Sequence, residues 1–440
     1  MGKRKRDVPA IEAVNGTEPS PKSPATQSTS ALQIIIGTYE KVLHGISASW
    51  TQAVEPDQPR KVAFVDRFLF RAHESAVRCL AVSPMAGDTQ KRYLASGGSD
   101  QVVNVYSLST VSSGRNAELG SLQHHAGGVN SLCFPTANKL MTASDDNTIA
   151  IARTRDWTIL SSIKAPAPKT PGQPSGDSAS IGAGTKGVND FDVHPSLKLM
   201  ISVGKSERCM RLWNLVTGKK AAVLNFDRSL LSKVGESKFT TGEARRVRWN
   251  RTGDEFIIVF DRGCITYDLD SNAKCCILPL SRTKIHQVRY FSPIQDENSE
   301  NLILLSTDDG QILFFSTQYP VDMNKDPTDV LPSIAPIAQL GEPKGTPSNR
   351  IKDFEILDAN EEGKAFIVTG SSDGAVCVWS LGIKDVTDLV QPAPKDLDDG
   401  VKTVSSHVAD KTIQPRQVGT LLGIYETGNR ITCLKAFPLS

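Results

Sequence analysis

The sequence predicts an all-β fold, a seven-bladed β-propeller closed by pairing strands from its two ends, and three observations predict it. An acidic residue in a small-residue turn recurs with an aromatic six positions later; each such pair sits in the same three-strand order; and the two chain ends hold complementary unassigned strands. A period of this kind marks a stacked repeat rather than several independent domains, which is how one fold can absorb 440 residues.

The pairs are Asp100 with Tyr106, Glu207 with Trp213, Asp261 with Tyr267, Asp309 with Phe315, and Asp373 with Trp379, while Asp146 heads a copy whose aromatic is Ala152. Around them run VRCLAVSP, YLASGGSD and VVNVYSL in the first copy, and IKDFEIL, AFIVTGSSD and AVCVWSL in the sixth. Each is three short strands with polar turns. The acidic side chain can accept backbone N–H groups in the tight turn, and the aromatic packs between neighbouring sheets. Successive anchors lie 46, 61, 54, 48 and 64 residues apart, against ~40–45 for an uninterrupted WD40 repeat. The excess is assigned to insertions near 166–187, 319–347 and 384–414.

Six internal copies do not close a ring. RITCLKAFP at the C-terminus has the form of a first strand with nothing after it, and LQIIIGTYE, KVLHGISAS and VAFVDRFLFRAH precede the first copy without one. Joined, they make the seventh blade, so the seven-bladed WD40 β-propeller spans residues 31–440. Residues 1–30 form a Pro/Ser-rich tail with no apolar pattern, expected to be disordered.

Composition narrows the function classes. Fifty basic residues against 48 acidic ones give a net charge of +2, so no global electrostatic case for nucleic acid or membrane exists. No apolar stretch approaches the ~18–20 residues of a membrane span, and a soluble, intracellular protein is expected. The eight cysteines include no C-x-x-C pair and read as buried thiols. The seven histidines are scattered without acidic or cysteine partners at ligand spacing, so neither metal nor cofactor is expected. His73 instead fits the inward hydrogen-bonding histidine of a blade, linking Asp100 to Ser96.

Enzyme signatures occur only as strings. GAGTKG at 182–187 opens a strand, not a helix; GSSDG at 370–374 is followed by the strand AVCVW and contains an anchor, Asp373. A hydrolase on a propeller would gather ionisable groups in its central channel, and the innermost strands LCF, FDV and LAV read as mostly apolar. The basic run Lys3, Arg4, Lys5 and Arg6 reads as a nuclear address on a solvated tail.

The segments IIIGTYEKVLHGI, GVNDFDVHPSLKLMISVGKSERCMRLWNLVTG, EARRVRWNRTGDEF and NRITCLKAF resemble those of the p21-activated-kinase-interacting WD-repeat family and its fungal maintenance-of-killer relative. The resemblance spans roughly residues 32–440 in the same blade order. It implies a non-enzymatic scaffold in the nucleolus and nucleus, needed for large (60S) ribosomal subunit maturation and bound to pre-60S particles through other assembly factors. A monomer within that larger complex is expected, away from membranes. The resemblance also implies, as the alternative, an adaptor that binds and inhibits a p21-activated kinase. The insertions, the degenerate second blade and the long tail are departures from the family pattern.

In a propeller, the loops leading into the innermost strands open on one end of the ring. Here they carry Arg78, Lys186, Arg245 with Arg246, Lys284, Arg350 with Lys352, and Arg430; only the second blade, AGGVN, lacks a basic residue. This predicts a positive ring suited to an acidic assembly factor or to ribosomal RNA phosphates.

Overall fold

The computed structural model describes residues 29–51, 62–85, 91–111, 114–166, 187–237, 239–279, 281–292, 302–317, 331–341, 349–357, 363–385 and 415–439. Lys3 to Arg6, Lys186 and most of the three insertions therefore lie outside the described residues.

Among the described residues seven sheets, antiparallel through their four blade strands, form the ring. Blade 1 runs outward through Val77–Val82, Lys91–Gly98, Val103–Ser109 and Ala117–Leu122. The innermost strands of blades 2 to 6 are Val129–Thr136, Val188–Val193, Arg246–Trp249, Ile285–Phe291 and Ile351–Leu357. Each abuts its neighbours around the channel. Blade 7 is built from both ends of the chain. Its innermost strand, Ile431–Leu439, pairs antiparallel with Thr29–Thr38, followed outward by Val42–Thr51 and Ala63–Arg71.

Second and third strands are apolar on both faces because each blade is covered by two others; in Glu255–Val259 and Ile312–Ser316 every residue is buried. The apolar side chains segregate into seven clusters, one per blade-to-blade contact. The recurring aromatic goes where the repeat predicts: Tyr106 packs with Ile35 and Phe437 of blade 7, Trp213 with Met141 and Ile149 of blade 2, and Trp379 with Phe314 of blade 5. Ala152 leaves a gap in blade 2, and there Trp157 meets Tyr93 of blade 1 edge to face at 5.3 Å between ring centroids. The aromatic surface has moved five residues along the chain.

Three features depart from the sequence reading. Between blades 3 and 4 a helix, Arg228–Lys233, buries Leu231 against Phe226 and Phe260, in a segment to which the sequence reading assigned no element. The stretch 319–347, read as an insertion, contains the outer strand of blade 5, Ala338–Leu340. It also contains Ser333–Ile334, which runs parallel to the outer strand of blade 4 as a fifth strand. After the 384–414 insertion the chain does the same again: Arg416–Gln417 pairs parallel with the outer strand of blade 5, before Thr420–Glu426 completes blade 6. These short strands cover backbone edges that would otherwise face water unpaired.

Candidate partner-binding face

The turns joining second to third strands share one end of the ring with the loops that enter the innermost strands. The backbone shows this repeatedly: Ser99 N–H donates to Ala76 O at 3.0 Å, Asp145 to Gly128 at 2.9 Å, Asp308 to Lys284 at 3.0 Å, and Ser372 to Arg350 at 2.9 Å. The acidic anchors stand in these turns with differing roles. Asp100 accepts the N–H of Glu74 at 2.8 Å and lies 3.0 Å from His73 Nδ1, while His73 Nε2 is 2.8 Å from Ser96 Oγ. Blade 2 repeats the arrangement with Asp146, His125 and Thr142. The sequence reading passed over His125 because it counted the histidines as scattered; its signal was a histidine ahead of an aspartate turn, as at His73.

Asp373 accepts from Ser371 Oγ and Ala375 N–H within its own turn. Glu207 forms a two-pronged ion pair with Arg211, with Nη2 to Oε1 at 2.6 Å. Indole N–H groups of Trp213 and Trp379 reach Ser202 at 2.8 Å and Thr369 at 3.4 Å. Asp309 receives Thr283 Oγ1 at 3.2 Å. Asp261 departs from its assigned role: it accepts from Arg245 and Lys284, and its own N–H is held by Glu236, which follows the extra helix. It therefore serves the mouth of the channel rather than its turn.

The channel itself overturns the apolar reading of the innermost strands. Blade 3 presents Asp190 and Asp192, with fully buried Phe191 between them pointing into the sheet contact; blade 6 presents Asp353 and Glu355 around Phe354. Asp190 accepts from Ser131 Oγ of blade 2 at 2.7 Å, Arg248 of blade 4 at 2.6 Å and Val247 N–H at 3.3 Å. Three blades on, Asp353 accepts from Gln287 of blade 5 at 3.0 Å and Leu434 N–H of blade 7 at 3.0 Å, while Glu355 joins Arg289 and Lys435. Each acidic pair thus grips the blade before and the blade after.

Asp192 accepts Trp249 N–H at 2.7 Å. Burial nonetheless pushes its carboxyl up to about 6, against the pull of Arg248 and that N–H. Between the unfolded value of ~3.9 and this one, the folded chain holds a proton the unfolded chain has released, so stability falls as pH rises through that window, by about 1–3 kcal/mol. Asp192→Asn is expected to gain stability relative to the parent as pH climbs from 4.5 to 7 in thermal melts. A difference that stays flat across that range is the contrary result.

At the mouth, Arg78, Arg245, Arg246 and Lys284 converge on one depression of about 370 Å³, joined by Lys205, which the sequence reading did not count in the basic ring. The predicted ring is not bare positive charge. Arg78 (3.0 Å) and Lys205 both contact Asp145, Lys284 lies 3.4 Å from Asp261, and Arg350 lies 3.7 Å from Asp308. Burial pushes the Asp145 carboxyl up, but hydrogen bonds from Lys205, Asn130 and Arg78 outweigh it and hold it below the usual range. Lys352 is half-buried with its Nζ 3.2 Å from His286, and burial beside Arg350 and Arg430 lowers its affinity for a proton. Arg430 lies over the Tyr39 ring at 5.5 Å, on the far side of the mouth. Among the described residues no cluster suited to a metal ion is present, and no helix is long and apolar enough to cross a membrane.

Comparison with known proteins agrees with this architecture. The WD domain, G-beta repeat family matches residues 65–107 and 116–151. The chain is 26% identical over 363 residues to a p21-activated protein kinase-interacting protein 1-like of Gallus gallus, covering 81% of this chain and 75% of the relative. To Protein MAK11 of Saccharomyces cerevisiae it is 28% identical, over 80% and 78% of the two chains. To Shk1 kinase-binding protein 15 of Schizosaccharomyces pombe it is 23% identical, over 88% and 87%. The chain is a WD40 β-propeller that resembles the p21-activated-kinase-interacting and MAK11 proteins across about four-fifths of its length.

Proposed function

We propose that this protein is a non-enzymatic interaction scaffold that acts in nucleolar and nuclear maturation of the large (60S) ribosomal subunit, bound to pre-60S particles through protein assembly factors. The observation that carries the reading is the resemblance to the MAK11 and kinase-interacting proteins along nearly the whole propeller. The chemistry agrees with it. The channel carboxylates of Asp190, Asp353 and Glu355 are engaged with Arg248, Arg289 and Lys435 as inter-blade braces, which leaves them poor candidates for moving protons on a substrate. Lys3 to Arg6 supply the address. Sucrose-gradient sedimentation of the tagged chain, with imaging of the same cells, tests this: co-migration with pre-60S particles and nucleolar signal are expected. A protein found free at the top of the gradient and spread through the cytoplasm would defeat it.

A second reading, an adaptor that binds and restrains a p21-activated kinase, is favoured by the names of the Gallus gallus and Schizosaccharomyces pombe relatives. In the gradient experiment it corresponds to a free protein whose position shifts only when the kinase is added.

A further inference from the structure

We infer that the depression at the channel mouth, between the turns of blades 1 to 5, docks an acidic protein segment that places carboxylates among its cations and an apolar side chain beside Phe239. This deepens the scaffold reading and rests on it, without depending on which particle the scaffold serves.

The charge count comes first. Five cations, Arg78, Lys205, Arg245, Arg246 and Lys284, share three carboxylates, Asp145, Glu243 and Asp261. Asp190, the other acid near Arg246, is already matched by Arg248 at 2.6 Å. Positive charge is left over in a concave site on a nearly neutral protein, where it attracts anions more strongly than on an open surface. Arginine side chains present forked donors that fit carboxylates two-pronged. Asn130 adds polarity to the wall: its Nδ2 donates to Asp145 and Val188 O, and its buried Oδ1 has no partner.

The second observation is apolar. The loop from Glu236 to Arg245 carries Phe239 with 98% of its surface exposed. The same loop is tied to the mouth at two points: Arg208 donates to Thr241 O at 2.8 Å, and Ser206 N–H donates to Glu243 at 2.6 Å. A phenyl ring held in water on an anchored loop is an anchor residue awaiting a partner surface. A cationic depression, with an exposed phenyl ring on the same loop as its lining residues Glu243 and Arg245, selects a protein segment.

A nucleic acid fits less well. Asp145, Glu243, Asp261 and Asp308 punctuate the rim beside blades 2, 4 and 5, and a continuous phosphate backbone crossing it would pass each of these carboxylates in turn. A cavity of about 370 Å³ holds one or two side chains, not a run of nucleotides.

The test uses the purified full-length chain and two fluorescein-labelled probes, an octapeptide of alternating glutamate and leucine and a ten-nucleotide oligouridylate, followed by anisotropy. The peptide is expected to bind saturably and to be weakened about tenfold or more by the double change Lys205→Glu with Lys284→Glu, since reversing charges at a desolvated pair is costly. Phe239→Ala is expected to weaken it by roughly threefold, as for a partly buried apolar anchor. Lys284→Gln, with a melting curve matching the parent, serves if the double reversal fails to fold. No saturable peptide binding, binding unchanged in the variants, or tighter binding of oligouridylate than of peptide overturns the inference. The gradient experiment separates the two proposals. Particle association without peptide binding removes the docking site alone, and peptide binding without particle association removes the ribosomal reading alone.

Discussion

Deleting Asn429 to Ser440 is expected to yield an insoluble or rapidly proteolysed product. The lost strand carries Ile431, Cys433, Leu434 and Phe437, all buried, and its removal uncovers Ile34, Ile35 and Ile36, none of which is exposed in the closed ring. At ~1.5–3 kcal/mol for each large apolar side chain, the lost burial approaches the whole stability of a typical domain, about 5–15 kcal/mol. Leu434 N–H also satisfies Asp353, and Lys435 satisfies Glu355, so the channel of blade 6 loses partners together with its sheet neighbour. Soluble yield and limited proteolysis read the outcome. A cooperative melt within a few degrees of the full-length protein would show that the ring stands without its closing strand.

Asp190→Ala should be the most damaging single substitution in the channel. It leaves the half-buried Arg248 without its hydrogen-bonded carboxylate, and it strips an acceptor from Ser131 and from Val247 N–H. Breaking a buried pair from one side costs about 3–5 kcal/mol, or a Tm fall of roughly 3–6 °C for a fold of this size. Asp190→Asn keeps an acceptor oxygen and should lose roughly half as much. Removing Arg350, an exposed partner of Asp308, should cost under ~1 kcal/mol, which makes it the internal control. A Tm fall below about 1 °C for Asp190→Ala would mean that the acidic brace does not hold the blades together.

The ring, its seven blades and their closure could be read from the sequence because the repeat recurs at an interval that unrelated hairpins do not keep. The aromatic positions carried the same information, since Tyr106, Trp213 and Trp379 each bridge to the preceding blade. Much of the candidate site was harder to see. Asp261 has the expected six-residue interval to Tyr267, yet it faces Arg245 and Lys284, because sequence interval does not encode which way a turn residue points. The channel charges were hidden by alternation: Asp190, Asp192 and Arg248 occupy every second position of strands whose other side chains are apolar, so the strings looked hydrophobic on average. Neutralisation of the basic ring was likewise invisible, because Asp145 reaches Arg78 and Lys205 across three blades. The fifth strands could not be read at all, being two residues long and paired in parallel to segments more than 50 residues earlier.

The closing pair also sets a timetable. Strand Thr29–Thr38 is synthesised before the other strands of the ring, and its partner Ile431–Leu439 after them. Until Ile431–Leu439 has been made, the early strands of blade 7 have Ile34, Ile35 and Ile36 prepared for a neighbour that does not yet exist, while blades 1 to 6 emerge in order. Joining these two strands requires closing a loop that spans all the other blades, the slowest kind of contact to form, although the added entropic cost grows only logarithmically with length. An unguarded Ile-rich edge throughout synthesis makes the N-terminal strand the place where a chaperone does most for this protein, and where premature pairing with another chain does most harm.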